Sequence, residues 1–398
     1  MRKQLSSLII SIILLLSITA CKDSSDSNKL SEGVDLSTFL QTATLPNNLT
    51  IAFDVASVKD RSSAKTFKTG MLELDPDMVK RGLLLKEVVA SELQAVGQWV
   101  QTGDNSFAEY LTVYDGGKAF GKKVDVNGGL SYTVQLNNQK EKYPYVIAKT
   151  VGPPDMSEQL LKSKLRSDYA STADLSFMSY TDALTTVKKK LESIGFPPLI
   201  LAETYSLDLD TMRKHYALYL EENKNQDNLE QVSFSKEDEA YEFHFLQQID
   251  DIPFVPVPWE WKKGTANGPD GNIMKNSIIS VTFTKNGIIS LIAQNLFDIE
   301  GTKEAEEKPL IGAAAALEVL FSDYKELLLD EGTKIVSAEL NYVSMPDDQT
   351  YQLIPAWVFQ IAKPVVWSDP NNQTTLPFED YSKFVVNAIT GDKISGMR

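Results

Sequence analysis

Two histidines are the only imidazoles that this chain offers for acid–base chemistry or metal binding. His244 alternates with Phe243 and Phe245, so it shares the opposite side of a predicted strand with Glu242. A His–carboxylate pair is a combination that general acid–base catalysis uses, but we expect this pair to lie on an exposed strand face. His215 lies in a polar segment. Two histidines without a free thiol do not make a typical zinc site.

Hydrolase motifs are present only as fragments. Residues 62–65 fit S-x-x-K and residues 68–70 fit K-T-G, but in penicillin-recognising enzymes these motifs lie on separate elements. Here two residues separate them, so they cannot form that site. The sequence has no G-x-S-x-G, Walker, G-x-G-x-x-G or H-E-x-x-H motif. We therefore expect no catalytic residues and no enzymatic activity.

Three pairs of acidic residues are candidate calcium ligands. None fits the twelve-residue EF-hand loop, and solvated loop carboxylates are the better interpretation. We expect no metal and no cofactor. The acidic pairs considered are Asp208/Asp210, Asp250/Asp251 and Asp347/Asp348.

Three tryptophans are candidate ligand-binding residues. Trp259 and Trp261 flank a Gly-rich loop, and Trp367 precedes Asp369-Pro370. Exposed tryptophans beside such loops can stack on sugars or dock a peptide. Packing in the core is the alternative interpretation of the same residues.

The elements that would position these residues are short strands and a few helices. Residues 279–283 and 288–292 form a predicted hairpin, because Asn286-Gly287 supplies the positive φ angles of a tight turn. Helices are predicted over about 76–100, from Tyr180 to Ile194 and after Pro309. Strands are predicted at residues 49–55, 110–114, 130–136, 145–150, 204–209, 241–246, 335–343 and 351–359.

The first twenty-one residues predict where the protein is located. Arg2 and Lys3 precede an apolar run, which is the layout of a secretory signal peptide. From Leu5 to Ala20 the run would span roughly 24 Å as a helix, which is short for a bilayer core of about 30 Å. Ordinary signal cleavage after Ala20 is disfavoured, since Ile18 at position −3 is not small.

Ile18-Thr19-Ala20-Cys21 resembles the lipobox of bacterial lipoproteins. The resemblance implies cleavage after Ala20, diacylglyceryl transfer to the Cys21 sulfur and acylation (palmitate-type chains) of the new amino terminus. Two or more acyl chains anchor a protein stably, whereas one is marginal. We therefore expect a cell-membrane lipoprotein on the extracytoplasmic face, or on the outer membrane of a diderm source.

Composition restricts the classes of partner. Without residues 1–20 the chain keeps 37 basic and 54 acidic residues, a formal charge of −17. Such an acidic surface argues against nucleic acid as a partner. Cys21 is the one cysteine, so its lipidation would leave no disulfide to stabilise the fold.

The C-terminal residues carry a second resemblance. The segment 353–359 (LIPAWVF) followed by 384–394 (FVVNAITGDKI) resembles the closing strands of PepSY-like domains, and is similar to YycH/YycI-type accessory proteins and uncharacterised lipoproteins of Gram-positive gut bacteria. The resemblance implies a non-catalytic module that binds or restrains another protein, such as a sensor kinase or peptidase. Asn387 stands where PepSY sequences usually carry Asp.

The sequence thus predicts an α+β fold with a tether, an N-terminal α+β domain and two related helix-plus-antiparallel-sheet modules. The leading functional hypothesis is a lipid-anchored binding or regulatory protein that contacts a protein partner. A glycan- or peptide-binding lipoprotein and a hydrolase of unrecognised type are the alternatives. The expected boundaries are 1–20 for the signal peptide, 21–46 for the tether, 47–155 for the N-terminal domain, 173–303 for the middle module and 305–398 for the C-terminal PepSY/YycI-like module.

Overall fold

The computed structural model confirms an α+β fold with four helices and two sheets in its described part. The described residues are 33–72, 88–95, 108–114, 117–123, 129–136, 168–222, 232–255, 277–300, 305–347, 350–368 and 375–395, with Leu74, Met78, Gly82 and Leu83. The helices are α1 (Leu36–Thr42), α2 (Tyr180–Ser193), α3 (Leu209–Glu222) and α4 (Ala313–Tyr324). No helix within these residues is long and apolar enough to cross a membrane.

Seven strands form the first sheet, in the order β1-β13-β14-β15-β16, with β2 pairing β14 and β12 pairing β2. β1 is parallel to β13, and the other pairs are antiparallel. Helices α1 and α4 pack on one face around Trp357, Phe359 and Leu317. The strands are β1 (Leu49–Ile51), β2 (Ser63–Thr69), β12 (Ala305–Pro309), β13 (Thr333–Asp347), β14 (Thr350–Ser368), β15 (Thr375–Asn387) and β16 (Lys393–Ile394).

The second sheet has nine strands in the order β3-β4-β5-β6-β11-β10-β8-β7, with β9 on β8. Helix α2 packs on one face through Val187 and Leu191, against Phe243 and Phe245 of β8. The strands are β3 (Val88–Ala95), β4 (Ala108–Tyr114), β5 (Gly117–Lys123), β6 (Gly129–Leu136), β7 (Leu199–Leu207), β8 (Ala240–Ile249), β9 (Ile252–Pro253), β10 (Ile278–Thr284) and β11 (Gly287–Gln294).

The chain crosses between the two sheets rather than forming three successive ones. β1 and β2 belong to the C-terminal sheet, whereas β6 pairs with β11 of the middle module. The strands predicted for an N-terminal domain at 47–155 are therefore shared between the two sheets. In each sheet, four antiparallel strands follow a helix along the chain. In the second sheet these are β7, β8, β10 and β11 after α2, and in the first sheet they are β13 to β16 after α4.

Two local predictions are wrong. Residues 88–95 form strand β3, not part of a helix over 76–100, because Val88-Val89 favours extended backbone and β4 supplies a pairing edge. Part of the predicted tether 21–46 is also folded. Asp35 caps α1 by accepting from the Thr38 N–H at 2.9 Å, and Phe39 stacks on Phe321 of α4.

Candidate functional site

A row of three polar side chains in contact crosses the face of the second sheet opposite α2. His244 lies between Glu242 on the same strand and Ser280 on β10, its direct cross-strand neighbour. The His244 Nδ1 is 2.9 Å from the Ser280 Oγ, and its Nε2 is 2.8 Å from the Glu242 Oε1. The strand's period of two produces this arrangement, since Tyr241, Phe243 and Phe245 point into the core on the other face.

The expected exposed His–Glu pair is instead buried. The side chains of His244 and Glu242 are 10% and 8% exposed. Helix α3 packs over this face at Leu207 and Ala240, through Met212 and Tyr216. An antiparallel sheet often leaves one face to solvent, but here the sequence following β7 adds a helix that covers it.

The second histidine belongs to the same layer. His215 on α3 is 1% exposed, and its Nε2 is 3.2 Å from the Asp168 Oδ2. Lys214 donates to the same oxygen at 2.8 Å, and these two contacts lower the pKa of the Asp168 carboxyl. The Tyr169 ring meets the imidazole edge to face at 4.9 Å. Burial, with the carboxylates of Asp208 and Glu242 nearby, raises the pKa of Tyr169.

Ser280, His244 and Glu242 contact one another in turn along the row. One imidazole nitrogen of His244 thus bonds to the Ser280 hydroxyl, and the other lies against the Glu242 carboxylate. A nucleophilic serine also needs free donors for the oxyanion. β10 lies between β8 and β11. Its backbone N–H groups therefore donate hydrogen bonds to these two described strands and are not free to bind an oxyanion. We therefore interpret the row as a structural polar network.

The predicted acidic positions lie beside cations. Asp250 and Asp251 are 3.6 Å from the Lys65 Nζ and 3.9 Å from the Arg61 Nη2 respectively, and Asp347 is 2.8 Å from the Lys68 Nζ. Asp208 caps α3 by accepting from the Thr211 N–H at 2.9 Å. The described residues contain no group of three or more His, Cys, Asp or Glu side chains that could hold a metal ion.

Of the other predicted site residues, the structure describes only the position of Trp367. Ala20, Cys21, Trp259 and Trp261 lie outside the described residues. Trp367 lies on β14, opposite Leu376 of β15. Ligand binding by the three tryptophans stays a prediction.

Exposed apolar side chains concentrate at the C-terminal sheet. Among the described large apolar residues, the four most exposed are Leu327, Leu328, Val366 and Tyr381, with exposed fractions from 51% to 99%. The two leucines lie in the loop between α4 and β13. Exposed apolar side chains are candidates for contacts with another protein.

Val366 and Tyr381 lie on a two-stranded extension of β14 and β15, which we call the arm (residues 363–368 and 375–382). Val366 pairs with Pro377, and an even spacing puts Pro377 and Tyr381 on the same face. Ion pairs hold the arm, with Lys363 3.2 Å from Asp380 and Lys334 contacting Glu379 at 2.5 Å. Within the arm, the described side chains at 363, 364, 366, 377 and 379–382 are exposed.

The sequence patterns do not indicate Ser280 as the partner of His244, and they do not indicate that the arm is exposed. Ser280 was inside the predicted hairpin, but only the β8–β10 register identifies its neighbour. The arm had a detectable sign, because β-branched residues 365–366 and Trp367 continue the predicted strand 351–359 beyond Lys363-Pro364.

Comparison with solved structures places this architecture beside a protein of similar size. An uncharacterized protein from Eubacterium rectale aligns with a TM-score of 0.54 and 18% identity, covering 88% of this chain and 92% of that chain. The C-terminal domain of YpeB from Bacillus megaterium aligns with a TM-score of 0.33 and 12% identity, covering 81% and 96%. No protein-family model and no curated protein matches the sequence. The chain thus shares its fold with the Eubacterium rectale protein.

Proposed function

We propose that this chain is a lipid-anchored extracytoplasmic bacterial protein of non-catalytic binding or regulatory type, which acts through protein contacts at the membrane surface. The observation that carries the proposal is the arm, which presents Val366 and Tyr381 to solvent on two paired strands. Solvent-exposed apolar side chains held in place bind a partner without the entropic cost of ordering a loop.

The resemblances to known families support the same function. The lipobox-like residues 18–21 imply an anchor on Cys21, and the segments 353–359 and 384–394 resemble PepSY-like modules that bind or restrain other proteins. A lipid on Cys21 would hold the arm close to membrane proteins and raise its effective concentration against them. The buried Ser280–His244–Glu242 row needs no substrate in this interpretation.

Anchoring is tested by Cys21→Ala in the source cells. The variant is expected to leave the membrane fraction or to stay unprocessed, and the wild-type mature mass should include acyl chains. An unchanged mass and an unchanged membrane fraction would refute lipidation.

Partner binding is tested by a photo-crosslinking amino acid at position 366 in intact membranes. The control is position 188, an exposed position on α2. A recurring membrane protein is expected at 366 and not at 188. Val366→Asp is expected to remove this product, whereas Leu218→Asp, at a similarly exposed position on α3, is expected to leave it. Failure to recover a recurring protein at 366 would overturn the proposed function.

A further inference from the structure

Within the described residues, most of the outer edge of β15 has no paired strand. β15 bonds to β14 from Thr375 to Asn387, but on its other side, within the described residues, only Val385 and Val386 pair with a strand, the short β16. The neighbouring residues of the arm, Asp380, Tyr381 and Ser382, are exposed. An exposed strand edge is a template for adding another strand.

Hydrogen bonds at the end of β15 determine which residues face this edge. The Asn387 N–H donates to the Asp392 carbonyl on the β16 side at 2.8 Å, and the Ala388 N–H donates to Pro355 of β14 at 3.0 Å. Backbone groups of successive residues alternate between the two sides of a strand. The register of β15 against β14 has no shift. The backbone N–H and C=O groups that point away from β14 therefore belong to the odd-numbered residues of β15.

Three residues of that series lie at the free edge, namely Lys383, Tyr381 and Glu379. Val385 is taken by β16, since it pairs with Ile394. Pro377 has no N–H to donate. The free edge is therefore a defined segment, in which the N–H and C=O groups of these three residues point away from β14.

The side chains of the edge form the order acid, aromatic, base. Tyr381 is 53% exposed and its hydroxyl donates to the Glu379 Oε2 at 2.8 Å. Lys383 is partly buried, and burial lowers the pKa of its ammonium while Glu339 acts in the opposite direction. A carboxylate brought opposite Lys383 would favour its charged form.

We infer that the β15 edge from Glu379 to Lys383 accepts an extended segment of the protein partner as an added antiparallel strand. Main-chain hydrogen bonds would supply affinity and the flanking side chains specificity. The segment would carry an acidic residue opposite Lys383, an aromatic residue opposite Tyr381 and a basic residue opposite Glu379, because opposite charges across strands stabilise pairing and like charges oppose it. This inference rests on the proposed function and specifies its partner.

In an antiparallel pair, a second Glu-x-Tyr-x-Lys segment would place its Glu opposite Lys383, its Tyr opposite Tyr381 and its Lys opposite Glu379. A peptide copy of residues 378–384 therefore serves as the probe. Fluorescently labelled Phe-Glu-Asp-Tyr-Ser-Lys-Phe is titrated with the purified full chain, and a control peptide has Glu and Lys exchanged. The copy is expected to bind about tenfold more tightly, since two attractive pairs become two repulsive ones. Equal affinities, or no binding of the copy up to about 1 mM, would overturn the inference.

Variants of the protein provide a second test of the same pairing. In the double variant Glu379→Lys/Lys383→Glu the preference should switch to the exchanged peptide. Tyr381→Pro removes an outward N–H and should weaken the copy peptide while the thermal midpoint changes little. Ser382→Pro removes an inward N–H that serves the β14 ladder and should lower the midpoint. An unchanged peptide preference in the double variant would overturn the inference.

The crosslinking experiment separates this inference from the proposed function. If position 366 still recovers the membrane protein in the Tyr381→Pro background at wild-type yield, strand addition is overturned and the proposed function stands. Loss of the product in that background, with retention in Asp392→Ala, supports strand addition. If the wild type recovers no recurring protein, the proposed function itself fails.

Discussion

Gln247 and Phe297 exchange two hydrogen bonds at the junction of the two sheets. The Gln247 Nε2 donates to the Phe297 carbonyl at 2.7 Å, and the Phe297 N–H donates to the Gln247 Oε1 at 3.0 Å. Gln247 is fully buried, and the Phe297 ring stacks on Phe254. Phe254 in turn bridges to Tyr342 of β13. One side chain of β8 therefore fixes the segment by which the chain leaves the second sheet for the first.

Gln247→Leu is expected to destabilise this junction. The substitution leaves the N–H and C=O of Phe297 buried without the amide, and each buried unsatisfied group costs about 1–3 kcal/mol. We expect the free energy of unfolding to fall by about 2–4 kcal/mol and urea unfolding to lose cooperativity between the sheets. Gln352→Leu, at an exposed position on β14, is the control and should leave a single transition. A wild-type unfolding curve for Gln247→Leu would contradict this role.

A second prediction concerns the start of α4. The N-cap residue is Gly312, which has no side chain to accept from the helix, and Asp60 fills that position by accepting from the Ala313 N–H at 2.8 Å. Asp60→Ala is expected to lower the free energy of unfolding by about 1 kcal/mol, the usual cost of losing a cap. Chemical denaturation measures it, with exposed Asp392→Ala as the control. Equal stability of the two variants would show that the cap is dispensable.

Local signals in the sequence predicted the elements whose boundaries depend on local chemistry. The predicted hairpin of β10 and β11 is present, and Gly287 has the predicted positive φ, of 94°. Its turn residues are Lys285 and Asn286, since Thr284 pairs with Gly287, and Asn286 lacks the predicted positive φ. Helix α2 starts at Tyr180 as predicted, and Gly195 ends it at a φ of 90°. These features depend on residues a few positions apart, which a single sequence displays directly.

Long-range pairings could not be predicted in the same way. The cap of α4 comes from Asp60, 253 positions upstream, and β1 pairs with β13 across most of the chain. The His244–Glu242 pair was identified from strand periodicity, but its burial depends on α3, whose polar sequence gave no clear apolar stripe. Register and layer order are tertiary properties, so the neighbours of a candidate residue remain undetermined until the sheets are assembled.

The polar row on the second sheet gives a third prediction. His244→Leu removes the imidazole whose Nε2 lies 2.8 Å from the buried Glu242 carboxylate. Removing one partner of a buried pair of this kind typically lowers the free energy of unfolding by about 3–5 kcal/mol. The double variant Glu242→Leu/His244→Leu should be more stable than His244→Leu alone, because the buried charge is then removed as well. Ser280→Ala should cost about 1 kcal/mol. Equilibrium unfolding of the three variants measures these differences.

The order of the three variants is the critical outcome. If the double variant is less stable than His244→Leu, the imidazole and carboxylate do not act as a pair, and the structural interpretation of the row fails. Labelling of Ser280 by a fluorophosphonate probe would contradict it independently, since a serine in a purely structural network is not activated as a nucleophile.

Tyr342 predicts a loss of stability at alkaline pH. Its side chain is buried against Phe67 and Phe254, and its hydroxyl donates to the Lys65 carbonyl at 2.7 Å. Burial raises the pKa of Tyr342, and the nearby carboxylates of Asp250 and Glu307 add to the effect. The folded-state pKa is thus above the unfolded value of about 10. The contribution to stability is complete below that pH and is lost as pH rises through the folded-state pKa.

Above pH 10 the unfolded chain therefore releases a proton from this tyrosine that the folded chain retains. Each such proton lowers the free energy of unfolding by about 1.4 kcal/mol per pH unit. Tyr342→Phe should reduce this slope by one proton while costing about 1 kcal/mol at pH 7, through the lost hydrogen bond to Lys65. Urea unfolding between about pH 8 and 11, with phenolate absorbance as a second readout, measures both. Phe67→Leu destabilises the same contact but should keep the wild-type slope, so identical slopes for Tyr342→Phe and wild type would refute the assignment.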